Sequence, residues 1–153
     1  MHEYRVSIRW NRGGARFTDL RYSRSHEWAF DGGAKVPASS SPKVVPLPFS
    51  VPEAVDPEEA LVASASSCHM LSFLYFAARA GYVVDSYLDE PVGEMHKNEA
   101  GKQAITRITL HPRISFSGDQ RPGSDELRAL HHQAHGECYI ANSVRCEIVV
   151  ADA

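Results

Sequence analysis

Apolar and polar positions alternate over residues 4–10, YRVSIRW, which places Tyr4, Val6, Ile8 and Trp10 on one face of a strand. Asn11-Arg12-Gly13-Gly14 reads as a hairpin turn. Two further strand-like stretches lie around Phe17 and around Trp28–Phe30, and Asp31-Gly32-Gly33 ends the region. The pattern then disappears. Pro37, Pro42, Pro46, Pro48, Pro52 and Pro57 fall on or just after residues 34–56, with Ser39, Ser40 and Ser41 among them. Proline removes donors and restricts its predecessor, so a long loop without regular elements is expected there.

Asp56-Pro57-Glu58-Glu59 is a helix start: an N-cap, a proline at the first helical position and two carboxylates at the positive end. The helix should run to about Arg79, with Gly81 as its closing glycine. Its body is apolar or small nearly all round, the mark of a buried helix. Strands follow over 83–95 and 103–116, joined by a hairpin turn at Asn98-Glu99-Ala100-Gly101. Ser124-Asp125-Glu126 should cap a second helix that continues through Leu127, Leu130 and Ala134. Residues 144–150, VRCEIVV, make a last strand. One domain of 153 residues is expected, divided into N-terminal strands (1–33), a Pro-rich loop (34–56), a central helix (57–81), a strand pair (83–116), a second helix (123–138) and a last strand (144–151). That order implies an α+β fold with helices against one side of an antiparallel sheet.

Composition narrows the function. Hydrophobic residues make up 43% and charged residues 23%, values of a globular chain, and the net charge of -3 argues against a nucleic-acid or anionic-membrane binder. No apolar run is read as approaching the ~20 residues that span a bilayer, and the N-terminus lacks a signal-peptide pattern. A cytoplasmic location and no membrane partner are therefore expected.

Three cysteines, Cys68, Cys138 and Cys146, are too few and too unevenly spaced for a disulfide framework. Cys146 alternates with Val144, Ile148 and Val150 and belongs to a core face. Cys68, near the middle of the first helix, reads either as a core cysteine or as a nucleophile. Cys138 ends the second helix, where a thiol is more reachable than inside a core. A nucleophilic Cys68 needs a cation, because burial raises a thiol's pKa and the helix dipole fades within one turn. Arg24, Arg21, His26 and His69 are the candidates. Arg24 is preferred, since a guanidinium keeps its charge and can donate to both sulfur and peroxide oxygen. Glu58 could orient such an arginine, although a continuous helix separates it from Cys68 by roughly 15 Å. His131, His135 and Cys138 have a spacing that zinc could use, but a plain solvated helix shows the same pattern, and neither metal nor cofactor is expected.

Two blocks of the chain resemble the OsmC/Ohr family. One runs from Asp56-Pro57-Glu58-Glu59-Ala60-Leu61 through a small-residue helix to Ser67-Cys68-His69-Met70, and the other is Gly136-Glu137-Cys138-Tyr139-Ile140-Ala141-Asn142-Ser143 before a final strand. The resemblance implies an OsmC-like fold with antiparallel sheets wrapped around two central helices. It also implies an intertwined homodimer with active sites at the subunit interface. By position Cys68 would be the peroxidatic thiol, Cys138 the resolving one and Glu58 the carboxylate partner of an arginine. The implied activity is reduction of organic hydroperoxides, with an external dithiol, such as a lipoyl-type one, as reductant. A related protein with little peroxidase activity, binding an apolar ligand at the dimer cleft, is the alternative.

Overall fold

The structure is a computed structural model and describes residues 1–152. Its elements, in chain order, are β1 (Val6–Arg9), β2 (His26–Phe30), β3 (Lys35–Ala38), α1 (Pro57–Arg79), β4 (Val83–Leu88), β5 (Val92–Lys97), β6 (Gln103–Leu110), β7 (Arg113–Ser117), α2 (Ser124–Glu137) and β8 (Glu147–Val150). The fold is mixed α+β, and the chain divides into two compact units, Met1–Ala60 and the remainder from Leu61.

The first unit is an antiparallel β1-β2-β3 sheet with its following loop. The hairpin between β2 and β3 turns at Gly33, with φ +94°. No strand forms around Phe17, which instead stacks on Tyr22 at 4.7 Å between ring centroids. The expected structureless stretch over 34–56 contains β3 at its start. Pro37 is tolerated there because β3 ends the three-stranded order, where a missing N–H costs no ladder bond.

The second unit holds two small sheets, β4-β7 and β5-β6-β8. Each of the two long expected strands is split in two. Pro91 follows β4, and Pro112 separates β6 from β7, so both ladders end where proline cannot donate. Asp89 joins the breaks, its Oδ1 accepting the His111 N–H at 2.6 Å. The last strand is shorter than expected and runs parallel to β6, since its connection crosses over through β7 and α2.

Helix α1 is unbroken. Glu59 N–H donates to Asp56 Oδ1 at 2.8 Å while Asp56 N–H donates back to Glu59 Oε2 at 3.3 Å, a reciprocal capping box. At the other end Gly81 N–H donates to Ala78 O and Tyr82 N–H to Ala77 O, with Gly81 at φ +86°, a Schellman close. By length and composition this helix could cross a membrane, which corrects the sequence reading of apolar runs. Its buried residues, Ala65, His69, Phe73 and Ala77, form a stripe of four-residue spacing. Around Ala65 the stripe packs on Ile108, Leu110 and Ile148 of the β5-β6-β8 sheet. Around Phe73 and Ala77 it packs on Leu130 and Ala134 of α2, with Val84, Ile114 and Phe116 of the β4-β7 sheet. The expected cap at Ser124 moves one residue back: Gly123 occupies the N-cap and supplies no side-chain bond.

At Gly93 of β5 the sheet is tight against α1: an added Cβ would lie 2.5 Å from Val62 Cγ2. A Gly93→Ala substitution should therefore destabilise the protein by about 1–3 kcal/mol through overpacking, read as a lowered urea midpoint. An unchanged midpoint would show that β5 is free to move away from α1.

Candidate active site

The i, i+4 burial of α1 rotates the neighbouring stripe outward. Cys68, Leu71, Ser72, Tyr75, Phe76 and Arg79 share that second stripe and line a cavity of about 610 Å³, closed on one side by Glu137 and Tyr139 at the end of α2. Leu71 and Tyr75 are exposed. Met70 instead lines a separate cavity with Ala63, Ser66 and Ser67, and Phe73 is fully buried in the core. Neither faces the Cys68 cavity, because each helical step turns the side chain by ~100°.

Cys138 stops α2 with an extended backbone (φ -69°, ψ 113°). Its side chain turns inward, 1% exposed, with Cys68 as a neighbour. The expectation that the helix-end cysteine is the more reachable one is reversed: Cys138 is buried and Cys68 half-buried. Burial pushes the Cys138 thiol pKa up. The Ala141 N–H, donating to its sulfur at 3.4 Å, works against that, and the contact with Cys68 adds to it. All three cysteines are free thiols, and Cys146 packs half-buried against the core around Ile108.

His69 is not a cation for Cys68. It lies on the buried stripe, 3.0 Å by Nε2 from His131 Nδ1, with the two rings stacked 10° from parallel. Burial, followed by His131 and His135, lowers its pKa to about 4. His131 is turned into the core by the same contact and is likewise lowered, by burial. No group of three metal-ligating side chains exists among the described residues.

In the first unit, Arg24 and Glu58 line one cavity of about 480 Å³ together with Ile8, Trp10, Phe17 and Tyr22. Arg24 Nη1 donates to Leu20 O at 2.8 Å and to Tyr22 O at 2.5 Å, and the guanidinium lies 3.7 Å from the Tyr22 ring centroid. Among the described residues it makes no ion pair with Glu58. His26 bonds by Nδ1 to Arg24 O and accepts the Trp28 indole N–H at Nε2, and Arg21 lies over the Phe49 ring.

Sequence reasoning did not single out Ser72, Arg79, Glu137 or Tyr139. Helical spacing from Cys68 was the available signal for the first two. Arg79 donates to the Tyr75 hydroxyl at 3.1 Å.

The fold and the paired free thiols define a small α+β protein with a dithiol at the junction of two helices. The model of the OsmC-like protein family matches residues 51–151. A solved OsmC-like protein of unknown function from Vibrio cholerae is 50% identical, covers 98% of each chain and superposes with a TM-score of 0.96. The chain belongs to the OsmC-like family. More distant structures share the fold. An organic hydroperoxide resistance protein from Legionella pneumophila has 15% identity, a TM-score of 0.68 and covers 98% of this chain and 97% of its own. The organic hydroperoxide resistance protein OhrB of Bacillus subtilis has 15% identity, a TM-score of 0.67 and covers 97% and 96%. No curated protein matches the chain.

Below pH 6.5 an unfolded chain takes up protons at His69 that the folded protein refuses until about pH 4. Stability should fall as pH drops through this window and level off below it, with His131 adding in the same direction. Urea midpoints measured across the range would read this, and a flat profile would mean that the imidazoles are already solvated.

Proposed function

We propose that the protein is a thiol-dependent peroxidase that reduces organic hydroperoxides to alcohols. The observation that carries this reading is the neighbourhood of Cys68 and Cys138, two free thiols seventy residues apart in the chain. Core packing alone gives no reason to bring sulfurs together, and in a reducing compartment cysteines that pair are mostly catalytic or redox-sensing. The exposed apolar side chains of Leu71 and Tyr75 beside Cys68 suit an organic substituent better than hydrogen peroxide.

The Cys68 thiolate attacks the distal oxygen of ROOH. The O–O bond breaks, the alkoxide takes a proton and leaves as ROH, and the sulfur is oxidised by two electrons to a sulfenic acid. The Cys138 thiol then displaces water from that sulfur to form the disulfide. An external dithiol, such as a lipoyl-type one, reduces the bond by exchange and is itself oxidised. Arg24 is the guanidinium assigned to favour the thiolate, and Glu58, which lines the same cavity as Arg24, is its carboxylate partner in the reacting state. A second copy completes the protein as a homodimer; the exposed Val6, Ile8, Val83 and Val92 side chains support this.

One molar equivalent of an organic hydroperoxide should consume two thiols, and peptide mapping should find Cys68 linked to Cys138 with Cys146 free. Cys68→Ser should abolish turnover. Cys138→Ser should allow one turnover without recycling by dithiol. Retention of full multiple turnover in Cys68→Ser would sink the proposal. Arg24→Gln should slow the first step by about 10²-fold or more, the scale of losing one charge-stabilising donor.

A second reading, an OsmC-like protein with little peroxidase activity that binds an apolar ligand, is favoured by the aromatic walls of the Arg24 cavity, Trp10, Phe17 and Tyr22. Saturable quenching of Trp10 fluorescence by an apolar ligand, unchanged in Cys68→Ser, together with no hydroperoxide consumption by the wild type, would select it.

A further inference from the structure

The buried imidazole pair determines where its protons sit. His69 Nε2 and His131 Nδ1 are 3.0 Å apart, so one nitrogen donates and the other accepts. The remaining nitrogen of His69, Nδ1, is sealed from solvent and has no partner. An unpaired buried N–H is rarer and costlier than an unpaired lone pair. His69 therefore carries its proton on Nε2 and donates it, leaving only a lone pair at Nδ1. His131 accepts at Nδ1 and so holds its own proton on Nε2.

That N–H has no acceptor among the described residues, although His131 is only 6% exposed. His131 forms one wall of a cavity of about 400 Å³, whose other polar walls are His111, Arg113, Ser124, Arg128 and Asp152. Ser124 opens α2, and no side chain caps the amides of that first turn. Each arginine already has a carboxylate: Arg113 pairs with Glu90 at 2.5 Å and Arg128 with Asp125. Both pairs are solvent-exposed and hold their arginines only weakly. A guanidinium has five donors and can serve a second acceptor without releasing the first. Asp152 on the wall, and Asp125 and Glu126 in the first turn of α2, oppose an anion, against two guanidinium groups, one imidazole N–H and a helix start without a side-chain cap.

We propose that this cavity is a binding site for a small oxyanion, a phosphate or carboxylate group, with His131 Nε2–H as the neutral donor and Arg113 and Arg128 as the charged ones. The site is separate from the Cys68 cavity and independent of the peroxidase reading. The test uses the reduced full chain in low-salt buffer, titrated with inorganic phosphate and followed by NMR of the histidine rings and the α2 amides. A parallel titration with acetate separates a phosphoryl from a carboxylate guest, and sodium chloride at matched ionic strength is the control. The expected result is a proton on His131 Nε2 and saturable shifts at His131 and the Ser124 amide with one of the two oxyanions and not with chloride. The Arg113→Gln/Arg128→Gln variant should weaken that binding about tenfold or more, the loss of at least one charge-assisted hydrogen bond. A proton on His131 Nδ1, shifts that chloride reproduces, or an affinity unchanged in the double variant would each overturn the proposal.

Discussion

Burial of one stripe of α1 is the constraint on which the second unit depends. Ala65, His69, Phe73 and Ala77 follow one another at single helical turns, and all but His69 are completely removed from solvent. Two sheets and α2 take their places against this stripe. Burying a side chain such as Phe73 contributes about 1.5–3 kcal/mol, and small residues at Ala65 and Ala77 allow the neighbours to come close. Fixing one face of a helix fixes the others. Cys68 and the residues at helical spacing beyond it then open onto a cavity, whatever their own preferences for burial.

The seam between the two core clusters is polar, which is unusual for the centre of so small a unit. Ser66 donates to Asp89, Asp89 accepts the His111 amide, and His69 meets His131. The imidazole contact holds α1 and α2 in one orientation, because slippage would leave its buried donor without an acceptor. Cys138 is carried on the same α2 face, two turns beyond His131, and the register that pairs the imidazoles also delivers its sulfur to Cys68.

The chain belongs to the OsmC-like family and shares its fold with organic hydroperoxide resistance proteins, while the structure that is 50% identical is of a protein of unknown function. The geometry that bears on activity is therefore that of this chain. In the first unit the guanidinium of Arg24 is held by carbonyls of its own turn and by the Tyr22 ring, in an aromatic cavity that also includes Glu58.

Much of this was written locally. The start of α1 at Asp56-Pro57, its end before Gly81, the hairpin at Asn98–Gly101 and the cysteine contexts all depend on backbone chemistry within a few residues, and such signals survive in a bare sequence. The breaks at Pro91 and Pro112 were legible too, since proline ends a ladder wherever it falls, but alternating apolar residues on either side masked them. What only the tertiary structure decided was direction: that Phe73 points into the core and Leu71 away from it, that Cys138 turns inward from a helix end, that His69 faces His131 rather than Cys68, and that β8 runs parallel to β6. A helix almost uniformly apolar does not name its buried face. That choice is made by whichever sheets and helices pack on it, through contacts between residues far apart in the chain.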